Sequence, residues 1–250
     1  MSEIISIDVA GRQYDAALAQ PDGEGPWPAV VVVHDLTGFN ADARRHCDRF
    51  AAAGYVAVAP DLYRGGNAAC VVQTLKSMAT HKGHAYRVID GARKAIMARD
   101  DVDQERVAIC GFCMGGGFAL IAAADESYAV AAPFYGTVPR AASRLRGLCP
   151  TLAQYGTEDV AFVPHGRRLS EHLRELGIAH EVLFHEGAGH SFMNQLEGLP
   201  AKVGPYTPFR TGYDAEIEAV AWQKVLEFFE THIPSGALGS PTTTRTERIR

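Results

Sequence analysis

The chain has 250 residues, 47% of them apolar and 21% charged, with a formal net charge of −5. These proportions fit one globular α/β domain, and the lack of a basic excess argues against a nucleic acid partner. No apolar run reaches the roughly 18 residues of a membrane span, and the opening MSEIISIDVAGRQYD lacks the marks of a signal peptide, so the expectation is a cytoplasmic protein without a membrane partner. Cys47, Cys70, Cys110, Cys113 and Cys149 are odd in number and scattered, which fits reduced thiols better than a disulfide framework.

The opening segment suits one or two antiparallel strands at a sheet edge. WPAVVVVHD and GYVAVAP are short runs rich in β-branched residues, the pattern of strands buried on both faces. Between them NADARRHCDRFAAAG reads as a helix, with Asn40 and Asp42 as candidate caps and Gly54 as its stop. RVAICGF then reads as strand, MGGGFALIAAA as helix, YAVAAPFYG and PTLAQYG as strands, PHGRRLSEHLRELG as helix, AHEVLFHEG as strand and DAEIEAVAWQKVLEFFETHI as helix. Such alternation predicts a mainly parallel sheet covered by helices on both faces, with its site at the carboxyl ends of the strands. One domain is expected over residues 1–234, with residues 193–212 a loop beside the site and 235–250 a disordered tail.

Within VAICGFCMGGGFAL, the residues Gly111, Cys113 and Gly115 fit G-x-nucleophile-x-G. There the glycines let strand and helix approach around a tight bend, and the central side chain is presented to substrate. A helix N-terminus favours a thiolate at Cys113, and the Met114 N–H would supply half of an oxyanion hole. In this fold class the acid and the histidine follow the nucleophile in chain order. QYGTEDVAFVP supplies Asp159, with Glu158 as the alternative acid, and HEGAGHSF supplies His190; both follow predicted strands.

Two other chemistries compete. Cys110 and Cys113 form C-G-F-C, a spacing used in thiol–disulfide exchange, but Cys110 lies within an apolar strand and reads as a small core residue. HEGAGH is one residue longer than the zinc motif H-E-x-x-H, and its glycines oppose the helix that motif needs, so no metal is expected. A non-catalytic binding module of the same fold would be expected to lack one of the three residues, and all three are present.

Taken together, VVVHDLTGFN, GYVAVAPDLYRGG, GFCMGGGFAL, YGTEDVAFVP, GAGHSF and YDAEIEAVAWQKVLEFF resemble the dienelactone hydrolase family of α/β hydrolases, from about Ile4 to Ile233. The resemblance implies a Cys113–Asp159–His190 triad, no cofactor, and hydrolysis of a small ester or lactone through an acyl-thioester. It also implies a second oxyanion donor at the Leu36 N–H. Two positions depart from members active on dienelactone. Asp35 stands where they carry a glutamate that meets the resting thiol, and would act as a modulator of the nucleophile. Asn194 stands where they carry an arginine for the substrate carboxylate, and an amide offers no charge to an anion. Arg64, Arg87 and Tyr135 complete the candidate substrate contacts, and the substrate expected is an uncharged ester or another lactone. Tyr206, Phe209 and Tyr213 fit either an aromatic lid or anchors of a surface loop. Monomer and dimer are both compatible with the sequence.

Overall fold

The computed structural model describes residues 1–196 and 198–233; the expected tail lies outside them. Its sheet is built from β1 (Glu3–Val9), β2 (Arg12–Ala19), β3 (Trp27–Val33), β4 (Val56–Pro60), β5 (Val102–Phe112), β6 (Val130–Phe134), β7 (Thr151–Gly156) and β8 (His180–His185). The order across the sheet is β1-β2-β4-β3-β5-β6-β7-β8. β1 and β2 pair antiparallel and β2 runs antiparallel to β4, so the opening segment forms the expected edge hairpin. The other strands are parallel, and each sequence run read as a strand forms one.

The central strands are apolar on both faces because both faces are covered. Val30 to Val33 of β3 and Ala108 to Cys110 of β5 are fully buried. Helices α1 (Ala41–Ala52), α4 (Met114–Asp125), α5 (Val163–Leu176) and α7 (Ala215–His232) form where the sequence predicts them. Asn40, rather than Asp42, caps α1, accepting the N–H groups of Asp42 and Ala43 at 3.0 and 3.1 Å. Helix α4 is apolar on every side and buried from Met114 to Ala123, which makes it the central helix.

The sequence reading assigns no element to residues 68–97, where the structure has α2 (Ala68–Thr80) and α3 (His84–Met97). The signal was present in α3, whose Ala85, Val88, Ile89, Ala92 and Ile96 recur at helical spacing and are buried. The predicted loop beside the site also contains a short helix, α6 (Gly198–Val203), and a 3₁₀ turn at Gly204–Tyr206. No helix among the described residues is long and apolar enough to cross a membrane.

Candidate active site

Cys113 follows β5 and precedes α4, at φ +55°, a left-handed conformation that costs a non-glycine residue roughly 1–3 kcal/mol. The bend survives because its neighbours are glycines. A Cβ on Gly111 would lie 2.2 Å from the Gly115 carbonyl oxygen, and one on Gly115 would lie 2.2 Å from that of Val33. The Cys113 N–H donates to the Phe134 carbonyl at 3.1 Å, which ties the bend to β6.

Asp159 follows β7 and is fully buried, whereas Glu158 is exposed. His190 follows β8, and its Nδ1–H donates to Asp159 Oδ2 at 2.5 Å. The structure therefore pairs the histidine with Asp159, and leaves its other ring nitrogen for the sulfur. Burial opposes a charged imidazole, but the Asp159 hydrogen bond and the neighbouring Cys113 side chain prevail and raise the His190 pKa to about 9.

The Leu36 loop follows β3. His34 is buried; its Nδ1–H donates to the Asp35 carbonyl at 2.7 Å, and its Nε2 accepts the Leu62 N–H at 3.2 Å. The Gly38 N–H also donates to the Asp35 carbonyl, at 3.2 Å. Because a trans peptide directs its C=O and N–H oppositely, fixing the Asp35 carbonyl orients the Leu36 N–H as well. Tyr63 braces the same loop: its hydroxyl donates to the Leu36 carbonyl at 3.1 Å and touches Met114 Sδ at 3.6 Å. Burial first, then the charge of Asp35, pushes that phenol up to about 12, so it remains a donor.

The Asp35 carboxylate accepts the backbone N–H and hydroxyl of Thr37, with the N–H at 2.8 Å, and makes no hydrogen bond to Cys113 among the described residues. Asp35, one methylene shorter than the glutamate of members active on dienelactone, closes its own turn instead. Asn194 and Tyr135 differ from expectation. Both are buried, the Tyr135 hydroxyl donates to Asn194 Oδ1, and Asn194 Nδ2 donates to Asp42 Oδ2 at 2.7 Å. With these groups bonded internally, neither residue presents itself as a substrate contact; together they tie the His190 loop to α1.

That tie continues into a buried charge network. Asp42 also pairs with Arg45 at 2.8 Å; Arg45 reaches Glu218 and the Met193 carbonyl, both at 2.6 Å. Burial works against an ionised Asp42, yet His46, Arg45 and the Asn194 amide keep its carboxyl well below the usual range. Replacing Asn194 by alanine leaves the Tyr135 hydroxyl without its acceptor and removes one donor from Asp42, which keeps Arg45 and the Gln195 N–H, a loss of about 1–3 kcal/mol. A clearly lowered melting temperature is the expected outcome.

Arg64 donates to the Gln13 carbonyl at 3.2 Å, and Arg87 lies on α3 in a cleft that no triad residue lines. Neither is placed beside Cys113. Tyr206, Phe209 and Tyr213, read as either a lid or loop anchors, have three different fates. Phe209 packs 6.2 Å from the His190 ring and accepts the His190 N–H on its carbonyl at 2.8 Å, Tyr213 donates to Glu218 at 2.7 Å, and Tyr206 is 89% exposed. Sequence reasoning missed Phe162, whose ring centroid lies 4.6 Å from that of His190; its place in the turn after Asp159 was the available signal. The Phe162 and Phe209 rings pack 6.3 Å apart beside His190, and Leu36 is 56% exposed on its own loop.

Cys110 is fully buried on β5, where burial pushes its thiol pKa well up, so it is no accessible resolving thiol for Cys113.

A strand, a left-handed nucleophile bend, a buried central helix and an acid–histidine pair on later strand ends define an α/β hydrolase. The chain belongs to the dienelactone hydrolase family, which matches residues 14–233, and it is a hydrolase. An Escherichia coli K12 protein named as a carboxymethylenebutenolidase is 30% identical over 247 residues, covering 91% of this chain and 86% of that protein. A Yersinia pestis protein of the same name is 29% identical, with 91% and 87% covered. Among solved structures, a dienelactone hydrolase-like promiscuous phosphotriesterase from metagenomic libraries superposes with a TM-score of 0.78 at 23% identity, covering 94% of this chain and 99% of that one. The dienelactone hydrolase of Anabaena variabilis gives 0.66 at 19% identity, with the same coverage. These two likenesses concern the fold.

Proposed function

We propose that the protein hydrolyses an uncharged carboxylic ester or lactone through an acyl-thioester on Cys113. The observation that carries this reading is the buried His190–Asp159 pair facing a cysteine held at a left-handed bend. His190 takes the thiol proton, and the thiolate attacks the carbonyl carbon. The Met114 and Leu36 N–H groups receive the developing oxyanion. Collapse breaks the C–O bond, with His190 returning its proton to the leaving oxygen; in a lactone that oxygen remains tethered to the acyl group. His190 then activates a water that cleaves the thioester, releasing the acid and restoring the thiol. Asp35 acts by shaping the turn that presents Leu36.

The preference for neutral substrates rests on charge. Asn194 and Arg45 are engaged internally, and Arg64 and Arg87 lie away from the triad, while Asp35 places a carboxylate in the Leu36 loop. Hydrolysis of p-nitrophenyl acetate, p-nitrophenyl butyrate and cis-dienelactone, by the protein and by Cys113→Ala, tests both parts. The neutral esters should turn over faster than the anionic lactone, and Cys113→Ala should lose all three activities. Preferred turnover of cis-dienelactone would refute the charge argument, and turnover by Cys113→Ala would refute the nucleophile.

A further inference from the structure

Two adjoining cavities lie between the β1–β2 hairpin and helices α2 and α3. One, of about 350 Å³, is lined in part by Arg12, Tyr14, Gln73, His84 and Arg87. The other, of about 450 Å³, adds Lys76 and Lys82 to the shared Gln73, His84 and Arg87. Neither lining contains an aspartate, a glutamate or a triad residue. In a chain of net charge −5, this is a local concentration of the opposite sign. Some arginines elsewhere have carboxylate partners, as Arg45, Arg49, Arg93 and Arg99 do, and others do not. Arg12, Lys76, Lys82 and Arg87 make no ion pair among the described residues.

The floor of the cleft is buried and polar. Tyr14 is only 3% exposed, and its hydroxyl makes no hydrogen bond among the described residues. His84, 6% exposed, packs 5.8 Å from the Tyr14 ring and donates from Nε2 to the Leu62 carbonyl at 3.0 Å, leaving Nδ1 without a partner among those residues. Burial first, then the charges of Arg87 and Arg12, hold the His84 pKa down against the pull of that carbonyl. Arg64 adds a guanidinium 5.8 Å from the Tyr14 ring. The Tyr14 hydroxyl is thus a donor open to the cleft, and four unpaired cations repel one another unless an anion joins them.

We propose that this cleft binds a small organic phosphate, with Arg12 and Arg87 forking onto the phosphoryl oxygens, Lys76 and Lys82 adding charge, and the Tyr14 hydroxyl donating from the floor. The number of cations fits a multiply charged phosphate better than a single carboxylate, and guanidinium forks match phosphoryl geometry. Two joined cavities also leave room for more than inorganic phosphate. The reading is independent of the triad chemistry.

Isothermal titration near neutral pH and at low salt, with inorganic phosphate, adenosine diphosphate and adenosine as probes, tests it. Adenosine diphosphate should bind about tenfold tighter than inorganic phosphate, and adenosine should give no heat. Arg12 is exposed at the hairpin, so Arg12→Gln should keep the fold, weaken adenosine diphosphate by about tenfold or more, and hydrolyse p-nitrophenyl acetate at the unaltered rate. Tyr14→Phe should weaken it several-fold. Absence of binding up to about 10 mM, affinity unchanged in Arg12→Gln, or equal binding of adenosine would each overturn the proposal.

Discussion

Replacing His190 by alanine should lower kcat for ester hydrolysis by roughly three to four orders of magnitude, as removal of a triad base generally does. The imidazole bonds to Asp159 on one side and faces Cys113 on the other, so its loss removes the base for attack and the acid for the leaving oxygen together. The same variant should change the pH dependence of Cys113 alkylation by iodoacetamide. His190 has a folded-state pKa of about 9 against an ordinary 6.5, so the proton it binds stabilises the native state fully below about 6.5. That stabilisation fades as the pH rises through about 9. With that imidazolium removed from beside the sulfur, alkylation at neutral pH should be slower in His190→Ala than in the native protein. Equal alkylation profiles and a kcat within tenfold of the native protein would remove His190 from the mechanism.

Gly115→Ala should strongly disturb the bend. The added Cβ would sit 2.2 Å from the Val33 carbonyl oxygen and 2.5 Å from that of His34, both backbone atoms at the end of β3. No side-chain rotation relieves that contact, so α4 must move away from the Leu36 loop. Overpacking of this kind typically costs about 1–3 kcal/mol, which in a chain of this size lowers the melting temperature by roughly 2–12 °C. Movement of Met114 relative to Leu36 also separates the two proposed oxyanion donors, so kcat should fall by about a hundredfold, as when one such donor is removed. Thermal melts and steady-state kinetics check the two effects together. A variant with native melting temperature and native kcat would mean that β3 and the bend do not approach as described.

Much of this architecture was legible from local pattern. β3 and β4 announced themselves as β-branched runs, and Asn40 and Gly54 bracketed α1 by cap chemistry. Cys113 was legible because its bend requires glycines at fixed offsets, and Asp159 and His190 because they follow strands in the expected order. Asn194 was not: whether its amide faces substrate or protein depends on Asp42, which lies 152 positions away in the chain, and on the Tyr135 hydroxyl. The partner of Asp35 was hidden for a related reason. Sequence shows a carboxylate two residues from Thr37, but only the backbone path shows that it bonds to Thr37 instead of the sulfur. The cleft between the hairpin and α3 was hidden as well, since Arg12 and Arg87 come to line one cavity only once the β1–β2 hairpin packs, through β1, against α3.

The most direct measurement is the intact mass of the protein quenched in acid within milliseconds of mixing with p-nitrophenyl acetate, followed by peptide mapping. The account predicts a transient gain of one acetyl group on the peptide carrying Cys113, forming with the burst of p-nitrophenol and absent in Cys113→Ala. Sustained turnover with no acetyl adduct, or an adduct mapped to another residue, would contradict it.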